Sequence, residues 1–131
     1  MIVVLLVSTG AAWESRALAA LNDSLGGPAQ MLDPVHGPRL REQYEWADTC
    51  LVALRPDWPS FEWTIPSKTY ELLAVGRHVT GMVTGEAARV LESSGAASLV
   101  PADPEALAAC WRRLAADPLS TAVDGRGRDW V

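Results

Sequence analysis

The feature that most constrains the fold is the apolar run IVVLLV at residues 2–7, which is rich in β-branched side chains. An unbroken run of this length is typical of a strand covered on both faces, as in a parallel sheet. Further short apolar segments follow it, with helical patterns between them. The predicted strands are residues 2–7, 29–32, 49–54, 78–83 and 97–100. Strand and helix therefore alternate, which predicts a doubly wound α/β sheet with right-handed crossovers.

Local start and stop signals delimit the predicted helices. A repeat of apolar residues every four positions begins at Ala11 and ends at Gly26-Gly27-Pro28. Further helices are predicted at about 40–47, from residue 67 to Gly76, at 86–95 and after the cap Asp103-Pro104-Glu105. The segment 117–131 has two glycines among charged residues, so we expect a loosely held tail.

Composition narrows the classes of function. With 131 residues, 49% of them apolar, we expect a single domain over 1–131 with a buried core. The net charge of −5 and the lack of a basic run argue against a nucleic-acid partner. The first apolar run is too short for a membrane span and lacks a basic leader. Cys50 and Cys110 match no metal or redox spacing, which indicates buried free thiols in a cytoplasmic protein.

The strongest candidate for chemistry is the segment IPSKTYELLAVG at residues 65–76. Pro66 and Ser67 suit the entry of a helix. The N-terminus of a helix offers unpaired N–H groups and about half a positive charge, so with Lys68 it suits an anion such as a phosphate. Glu71, one turn deeper, is placed to hold sugar hydroxyls. Chemistry alone favours the simpler interpretation, in which Pro66 and Ser67 are ordinary helix-start residues and Glu71 is a solvated surface acid.

The predicted topology brings several loops to one edge of the sheet. Ligands of such sheets bind outside the carboxyl ends of the strands. The loops at that edge start near Ser8, Asp33, Arg55, Thr84 and Pro101, and the helix that begins after Pro66 starts there too. The connection at residues 55–66 is long for this kind of unit, which favours a functional or mobile segment. The candidate residues therefore converge on one crevice.

Three strings of the chain carry a resemblance to a known family. In order they are ADTCLVALRP, TIPSKTYELLAVGRHVTG and TGEAARVLESSGAASLVPADPEALAACWRRLAADP. They resemble the C-terminal, nucleotide-sugar-binding domain of GT-B glycosyltransferases of group 1 (family 4), over nearly the whole chain. The PSK-x-x-E-x-x-x-x-G block is similar to the subgroup that adds amino or deoxy sugars in bacterial surface polysaccharides. The resemblance implies a retaining glycosyltransferase that uses a nucleoside-diphosphate sugar in polysaccharide or glycoconjugate biosynthesis.

The resemblance also implies a set of nucleotide-sugar contacts. Glu71 would bind the ribose hydroxyls, and the helix start at Ser67 with Lys68 would face the diphosphate. The implied contacts are Arg55, Pro66, Ser67, Lys68 and Glu71, with Val35 and His36 near the base. The alternative for His36 is a solvated loop histidine. Residues Thr84-Gly85-Glu86 could either contact the nucleotide-sugar donor or cap the helix that follows. We expect neither a cofactor nor a metal, because no Asp-x-Asp motif is present and the helix dipole with Lys68 would neutralise the leaving diphosphate.

The chain departs from the family pattern at two places. Many members carry a glutamate eight positions before the ribose-binding one, in contact with the transferred sugar, whereas this chain has Trp63 there and Glu62 one position away. Members also begin with an acceptor-binding domain and one further strand. We therefore expect no transfer by this chain alone, and either a separate acceptor-binding domain or chain or self-association. The missing strand leaves an order 2-1-3-4-5, as in flavodoxin-like folds, or a gap filled by an intruding strand.

Two alternatives to a glycosyltransferase donor domain remain. One is a non-catalytic, flavodoxin-like binding or regulatory module, and the other is a truncated remnant. A receiver domain needs acidic residues after its first strand and an aspartate after its third, where this chain has Ser8-Thr9 and Arg55. The nucleotide base, the sugar and the acceptor are not specified by any motif.

Overall fold

The computed structural model describes residues 3–6, 12–117 and 119–131, with the side chains of 12–14 outside that description. Within these residues four parallel strands form one sheet: β1 (Val4–Leu6), β2 (Thr49–Ala53), β3 (His78–Met82) and β4 (Ala97–Leu99). Their order in space is β1-β2-β3-β4. The register pairs Val4 with Thr49, Thr49 with His78, and Thr80 with Ser98. The predicted α/β class with a parallel sheet is confirmed.

Six helices accompany the sheet in the described part of the chain. They are α1 (Ala12–Ser24), α2 (Pro38–Trp46), α3 (Ser67–Val75), α4 (Gly85–Ser94), α5 (Pro104–Ala116) and α6 (Arg126–Trp130). A short 3-10 helix, Pro59–Glu62, lies in the connection between β2 and α3. Within the described ranges no helix combines the length and the hydropathy needed to cross a membrane.

The two faces of the sheet are covered by different helices. Cys50, Val52 and Val79 point to one face, because side chains alternate along a strand. There they join a core with buried residues of α2, α3 and α4: Tyr44, Leu72, Leu73, Ala87, Val90 and Leu91. Thr80 points to the other face, where the indole of Trp111 on α5 donates a hydrogen bond to its hydroxyl at 3.3 Å. Val100, Cys110 and Leu114 form a second, smaller core on that side.

The predicted strand at residues 29–32 does not form. This segment is an irregular connection in the structure, with Met31 47% and Leu32 45% exposed. Four residues between a Gly-Gly-Pro turn and a proline-rich loop can make few ladder bonds, so local apolarity is not enough to hold them in a sheet. The sheet therefore has four described strands instead of five. The first and third predicted strands pair directly, as expected if the gap left by a missing strand closes.

Helix α1 has the predicted bounds but does not bury its apolar positions. Leu18, Leu21 and Leu25 are 52%, 55% and 66% exposed. The predicted loop start at Ser8 and the side chain of Trp13 lie outside the described residues. The helical repeat therefore predicted the secondary structure of this segment correctly, while the expected burial of its leucines is not observed.

The end of the chain is packed on the domain rather than loose. Val123 belongs to the main core, and Gly127 of α6 is buried so closely that a Cβ there would lie 3.0 Å from Leu73. Arg128 donates a hydrogen bond to the carbonyl of Val75 at 3.3 Å, which satisfies a free carbonyl at the end of α3. The expectation of a loosely held tail over 117–131 is thus corrected for the described residues 119–131.

Candidate functional site

Helices α3, α4 and α5 begin at the carboxyl edge of the sheet, and different contacts surround their N-termini. The start of α5 is capped internally. The carboxylate of Asp103 accepts hydrogen bonds from the amides of Glu105 and Ala106, each at 3.3 Å. This is the cap predicted from the sequence, and it satisfies two of the free amides that every helix start presents.

The start of α4 is covered by residues 55–66, which connect β2 to α3 and which we call the 55–66 loop. Thr84 stands at the N-cap position, but its hydroxyl donates to the carboxylate of Glu62 at 2.8 Å instead of capping the helix. Gly85 has a φ of +63°, and a Cβ at this position would overlap the backbone of Glu62. The glycine is therefore required both by its conformation and by the close approach of the loop.

The start of α3 is the open one. The helix begins at Ser67 after Pro66, as predicted, and no side chain of the N-cap residue binds a first-turn amide. Ser67 is exposed. Gly76 ends the helix with φ 84° and ψ 33°, the left-handed conformation expected for it. Since a helix N-terminus carries partial positive charge, the start of α3 is the one of the three best suited to an external anion.

Lys68 and Glu71 lie one turn apart at this open helix start. Lys68 is partly buried, and this burial lowers the pKa of its ammonium group, while the neighbouring Cys50 and Glu71 act in the opposite direction. Glu71 is exposed. The two side chains therefore form an adjacent cation and anion at the carboxyl edge, with the cation partly dehydrated.

Tyr44 of α2 is a partner of Glu71 that the sequence did not reveal. The buried phenol donates a hydrogen bond to the Glu71 carboxylate, with a long oxygen–oxygen distance of 3.4 Å. Burial, followed by the charge and the hydrogen bond of Glu71, raises the pKa of Tyr44 to about 12. Tyr44 is thus a neutral donor near neutral pH. The sequence carried no sign of which residue Tyr44 would contact.

Cys50 lies in β2 beneath this group of residues. Burial raises the pKa of its thiol to about 11, although Arg77 and Lys68 act to lower it. Both Cys50 and Cys110 are buried free cysteines, as predicted. The thiol of Cys50 is therefore protonated near neutral pH and is not suited to act as a nucleophile.

Arg55 is held within the 55–66 loop rather than at α3. Its guanidinium group binds the carboxylate of Asp57 through two hydrogen bonds of 3.2 and 2.8 Å and lies 5.2 Å from the centre of the Trp58 ring. Trp58 stacks in turn on Phe61, with ring centres 5.7 Å apart. The charge of Arg55 is thus balanced by its own loop, and the structure does not bring it into the group at α3.

The residues expected near the base lie before α2 and along its outer side. His36 is exposed in the connection before α2. Val35 lines a shallow depression of about 310 Å³ along the outer side of α2, together with Arg39, Glu42, Gln43 and Trp46. No hydrogen bond or ion pair in the described part of the chain joins Val35 or His36 to α3.

A smaller cavity of about 50 Å³ lies at the carboxyl ends of the strands. It is lined by Leu54, Pro56, Met82, Val83, Thr84, Val100, Pro101 and Ala102. Ligand pockets usually enclose about 300 to 1,000 Å³, so this cavity is too small for a nucleotide. Neither this cavity nor the depression on α2 is lined by residues of α3. The group formed by Pro66, Ser67, Lys68 and Glu71 lines neither of these two cavities, and Ser67 and Glu71 are exposed. The described residues contain no cluster of three or more His, Cys, Asp or Glu side chains arranged for a metal ion.

The parallel sheet with helices on both faces defines the class of domain, a Rossmann-like α/β domain. The chain is similar to sucrose-phosphate synthase from Thermosynechococcus elongatus, with a TM-score of 0.75 and 22% sequence identity. The similarity covers 97% of this chain and 32% of that chain, so the chain spans about a third of the synthase. No model of a known protein family matches the chain, and no curated protein matches it significantly. At this level of identity the similarity establishes the fold.

Proposed function

We propose that this domain binds the nucleoside-diphosphate sugar of a glycosyltransferase, with the diphosphate at the start of α3 and the ribose at Glu71. The observation that carries the proposal is the uncapped start of α3 with Lys68 and Glu71 on its first turns, at the carboxyl edge of the sheet. The similarity of the fold to a domain of sucrose-phosphate synthase supports the same class of activity. We place the enzyme with the retaining transferases of family 4 that build polysaccharides or glycoconjugates.

The charges at α3 match a diphosphate. The N-terminus of α3, which the N-cap side chain leaves uncapped, and the positive end of the helix dipole attract its oxygens. Lys68 adds a full positive charge that is partly dehydrated, and attraction between charges grows as water is excluded. Glu71, with its carboxylate exposed, offers two acceptors for neighbouring ribose hydroxyls, and the hydrogen bond from Tyr44 helps to orient that carboxylate.

The same groups suit the departure of the nucleotide. When the bond between the sugar and the β-phosphate oxygen breaks, negative charge grows on the diphosphate. Fixed dipoles and Lys68, already in place, stabilise this charge. The acceptor must be held in register with the donor, and such positioning lowers barriers by roughly 7 to 11 kcal/mol in favourable systems. We assign that task to a separate acceptor-binding domain or chain, or to a second copy, so the isolated domain binds the donor without transferring the sugar.

The proposal is tested by a binding experiment with a matched control. A thermal-shift panel of uridine, guanosine, thymidine and adenosine diphosphates and their sugars identifies the nucleotide, because a bound ligand stabilises the folded state. Calorimetry then compares the Glu71→Ala variant with Glu92→Ala, an exposed carboxylate on α4 away from the site. We expect Glu71→Ala to weaken binding roughly 10- to 100-fold, the value of hydrogen bonds to a charged group.

The control variant should bind like the original chain. Unchanged affinity in Glu71→Ala would contradict the assignment of the ribose contact. Failure of every nucleotide in the panel to bind would contradict the proposed function as a whole.

A further inference from the structure

The shallow depression along the outer side of α2 has no role in the proposed donor site. It encloses about 310 Å³ and is lined by Val35, Arg39, Glu42, Gln43 and Trp46, and we call it the α2 depression. None of these residues belongs to α3 or to the 55–66 loop. Small-molecule sites usually enclose about 300 to 1,000 Å³. The α2 depression is therefore large enough for a small ligand or for one end of a longer chain.

The lining residues make the α2 depression elongated. Arg39, Glu42, Gln43 and Trp46 follow the i, i+3, i+4, i+7 spacing, so they share one face of the helix. Because a helix rises about 1.5 Å per residue, Arg39 and Trp46 lie roughly 10 Å apart along the axis. Val35, in the connection before α2, extends the lining beyond Arg39. A depression of this length suits a chain of linked rings better than a single planar base.

The polar side chains of the α2 depression are not used by other groups of the protein. In the described part of the chain, no hydrogen bond or ion pair involves the side chain of Arg39, Glu42 or Gln43. Two charged neighbours on the same helix do pair, since Arg41 donates to Glu45 at 2.9 Å. One cation, one anion and one amide therefore line the α2 depression with hydrogen-bonding capacity that no protein group takes up.

Trp46, the last residue of α2, adds an aromatic surface at one end of the α2 depression. Its side chain is 56% exposed. Trp58, by contrast, stacks on Phe61 and lies under the guanidinium group of Arg55, whereas no such ring contact involves Trp46 among the described residues. The face of an indole carries negative electrostatic potential and attracts positively polarised C–H bonds. Trp46 therefore offers a flat apolar surface to a ligand.

We propose that the α2 depression binds a neutral saccharide chain. One cation and one anion balance in its lining, which favours an uncharged ligand over a phosphate or a polyanion. Hydroxyl groups both donate and accept hydrogen bonds. They can therefore bind Arg39, which only donates, Glu42, which only accepts, and Gln43, which does both. The C–H face of a pyranose ring packs on Trp46. This site is separate from the proposed donor site, and its ligand carries no nucleotide.

The test follows the Trp46 indole by NMR, because a shallow site immobilises a flexible ligand for few contacts and binds it weakly. The chain has six tryptophans, so the indole N–H region of a ¹H–¹⁵N spectrum contains few signals, and Trp46→Phe assigns the one of Trp46. The probes are cellotriose and maltotriose as neutral chains, trigalacturonic acid as an anionic chain and uridine as a planar base. We expect at least one neutral chain to shift the Trp46 signal with millimolar affinity, and uridine to leave it in place.

Two variants with matched controls test the lining. Trp46→Ala, followed through the backbone amides of α2, should reduce affinity for the neutral chain roughly 3- to 10-fold, the range of aromatic packing energies. Its control is Trp130→Ala, at a tryptophan that is 41% exposed on α6. Glu42→Gln keeps the shape of the side chain and should weaken binding several-fold, because a hydrogen bond to a charged group is stronger than one to a neutral group. Glu45→Gln, on the same helix but outside the lining, should bind like the original chain.

Three results would overturn the proposal. The first is an unchanged Trp46 signal with both neutral chains. The second is tighter binding of trigalacturonic acid than of the neutral chains, which would mean that the site selects anions. The third is a shift with uridine alone, which would assign the α2 depression to a nucleobase. Failure of the nucleotide panel would leave this site in place, because the two sites share no residue.

Discussion

The two edges of the sheet use polar side chains in opposite ways. At the amino edge they bind one another in the interior: the hydroxyl of Thr49 lies 2.8 Å from Nδ1 of His78 and 2.9 Å from the hydroxyl of Thr80, and Nε2 of His78 lies 3.0 Å from the hydroxyl of Ser98. Thr49 and Thr80 are fully buried and His78 is 4% exposed. Each of these groups finds its partner inside the protein, as buried polar groups must.

At the carboxyl edge the corresponding groups face solvent. Ser67 and Glu71 are exposed, the start of α3 has no capping side chain, and Trp63 stands out from its loop. Polar groups at the amino edge therefore stabilise the fold, whereas those at the carboxyl edge remain available to bind a ligand. Helix N-termini converge on the carboxyl edge of a parallel sheet, so that edge is the one suited to an anionic ligand.

The largest effect we expect concerns the amino edge and its dependence on pH. Burial first, and Arg126 second, lower the pKa of His78 from its ordinary 6.5 to about 4. A group with a lowered folded pKa of this kind stabilises the protein as the neutral base. Its contribution is fully present above about pH 6.5 and is lost as the pH falls towards 4. From the shift, the free energy of unfolding should drop by on the order of 3 kcal/mol across this window.

Urea unfolding at pH 7, 5 and 4 measures this loss, and the two histidines of the chain provide the comparison. His78→Asn removes the titrating group and should flatten the pH dependence. His36→Asn, at an exposed histidine, should keep the pH dependence of the free energy of unfolding seen in the original chain. If His78→Asn also kept that pH dependence, the buried network would not be its cause.

The next effect compares the two ends of α4, one at each edge of the sheet. Gly85 and Gly95 both have positive φ, +63° and +66°. Alanine at either position costs about 1 to 2 kcal/mol in backbone strain. At Gly85 the new methyl group would also displace Glu62 and with it the 55–66 loop, whereas at Gly95 the nearest atom, in the Arg126 side chain, lies 3.5 Å away. We expect Gly85→Ala to destabilise the domain by at least about 1 kcal/mol more than Gly95→Ala.

Chemical denaturation of the two variants measures the difference in the free energy of unfolding. Equal stability of the two variants would mean that the 55–66 loop is not held by its contact with the start of α4.

The smallest effect concerns a single cation. Lys68→Ala should weaken binding of the diphosphate by about 1.5 kcal/mol, roughly tenfold, because a charged hydrogen bond is lost, and the matching nucleoside should bind as before. Added salt should narrow the difference in affinity between the variant and the original chain. Salt screens the attraction between Lys68 and the diphosphate, which only the original chain has. The control is Arg112→Ala, an exposed cation in the second half of α5, away from the carboxyl edge. Calorimetry at two salt concentrations measures the affinities of the diphosphate and the nucleoside. An equal loss of affinity for both ligands would mean that Lys68 contributes through packing alone.

Helix α3 shows how far local signals reach. Its start at Ser67 and its end at Gly76 were predictable, because proline, serine and glycine each act within a turn of their own position. The cap at Asp103 was predictable for the same reason. The strand expected at residues 29–32 was wrong, because a strand exists only if another strand pairs with it and that partner is not encoded locally.

The candidate site also combines residues that are neighbours in the chain with contacts between distant segments. The sequence placed Pro66, Ser67, Lys68 and Glu71 on one helix start, and they lie there together because they are neighbours in the chain. Arg55 and Val35 were expected to join them; Arg55 binds Asp57 within its own loop, and Val35 lines the depression along α2. The hydrogen bond from Tyr44 to Glu71 spans 27 positions and the one from Thr84 to Glu62 spans 22, which is beyond the range of any local pattern.

By itself, then, the sequence determined the α/β class, the bounds of α3 and the residues at its start, because alternation of apolar runs and helix signals act over a few residues. Only the tertiary structure decided that the start of α4 is covered by the 55–66 loop while that of α3 is not, and that this loop is anchored with Trp63 exposed. Those outcomes depend on which surfaces meet when the strands pair. Such contacts join residues far apart in the chain, and their free energy is set by burial and hydrogen-bond geometry that no single segment contains.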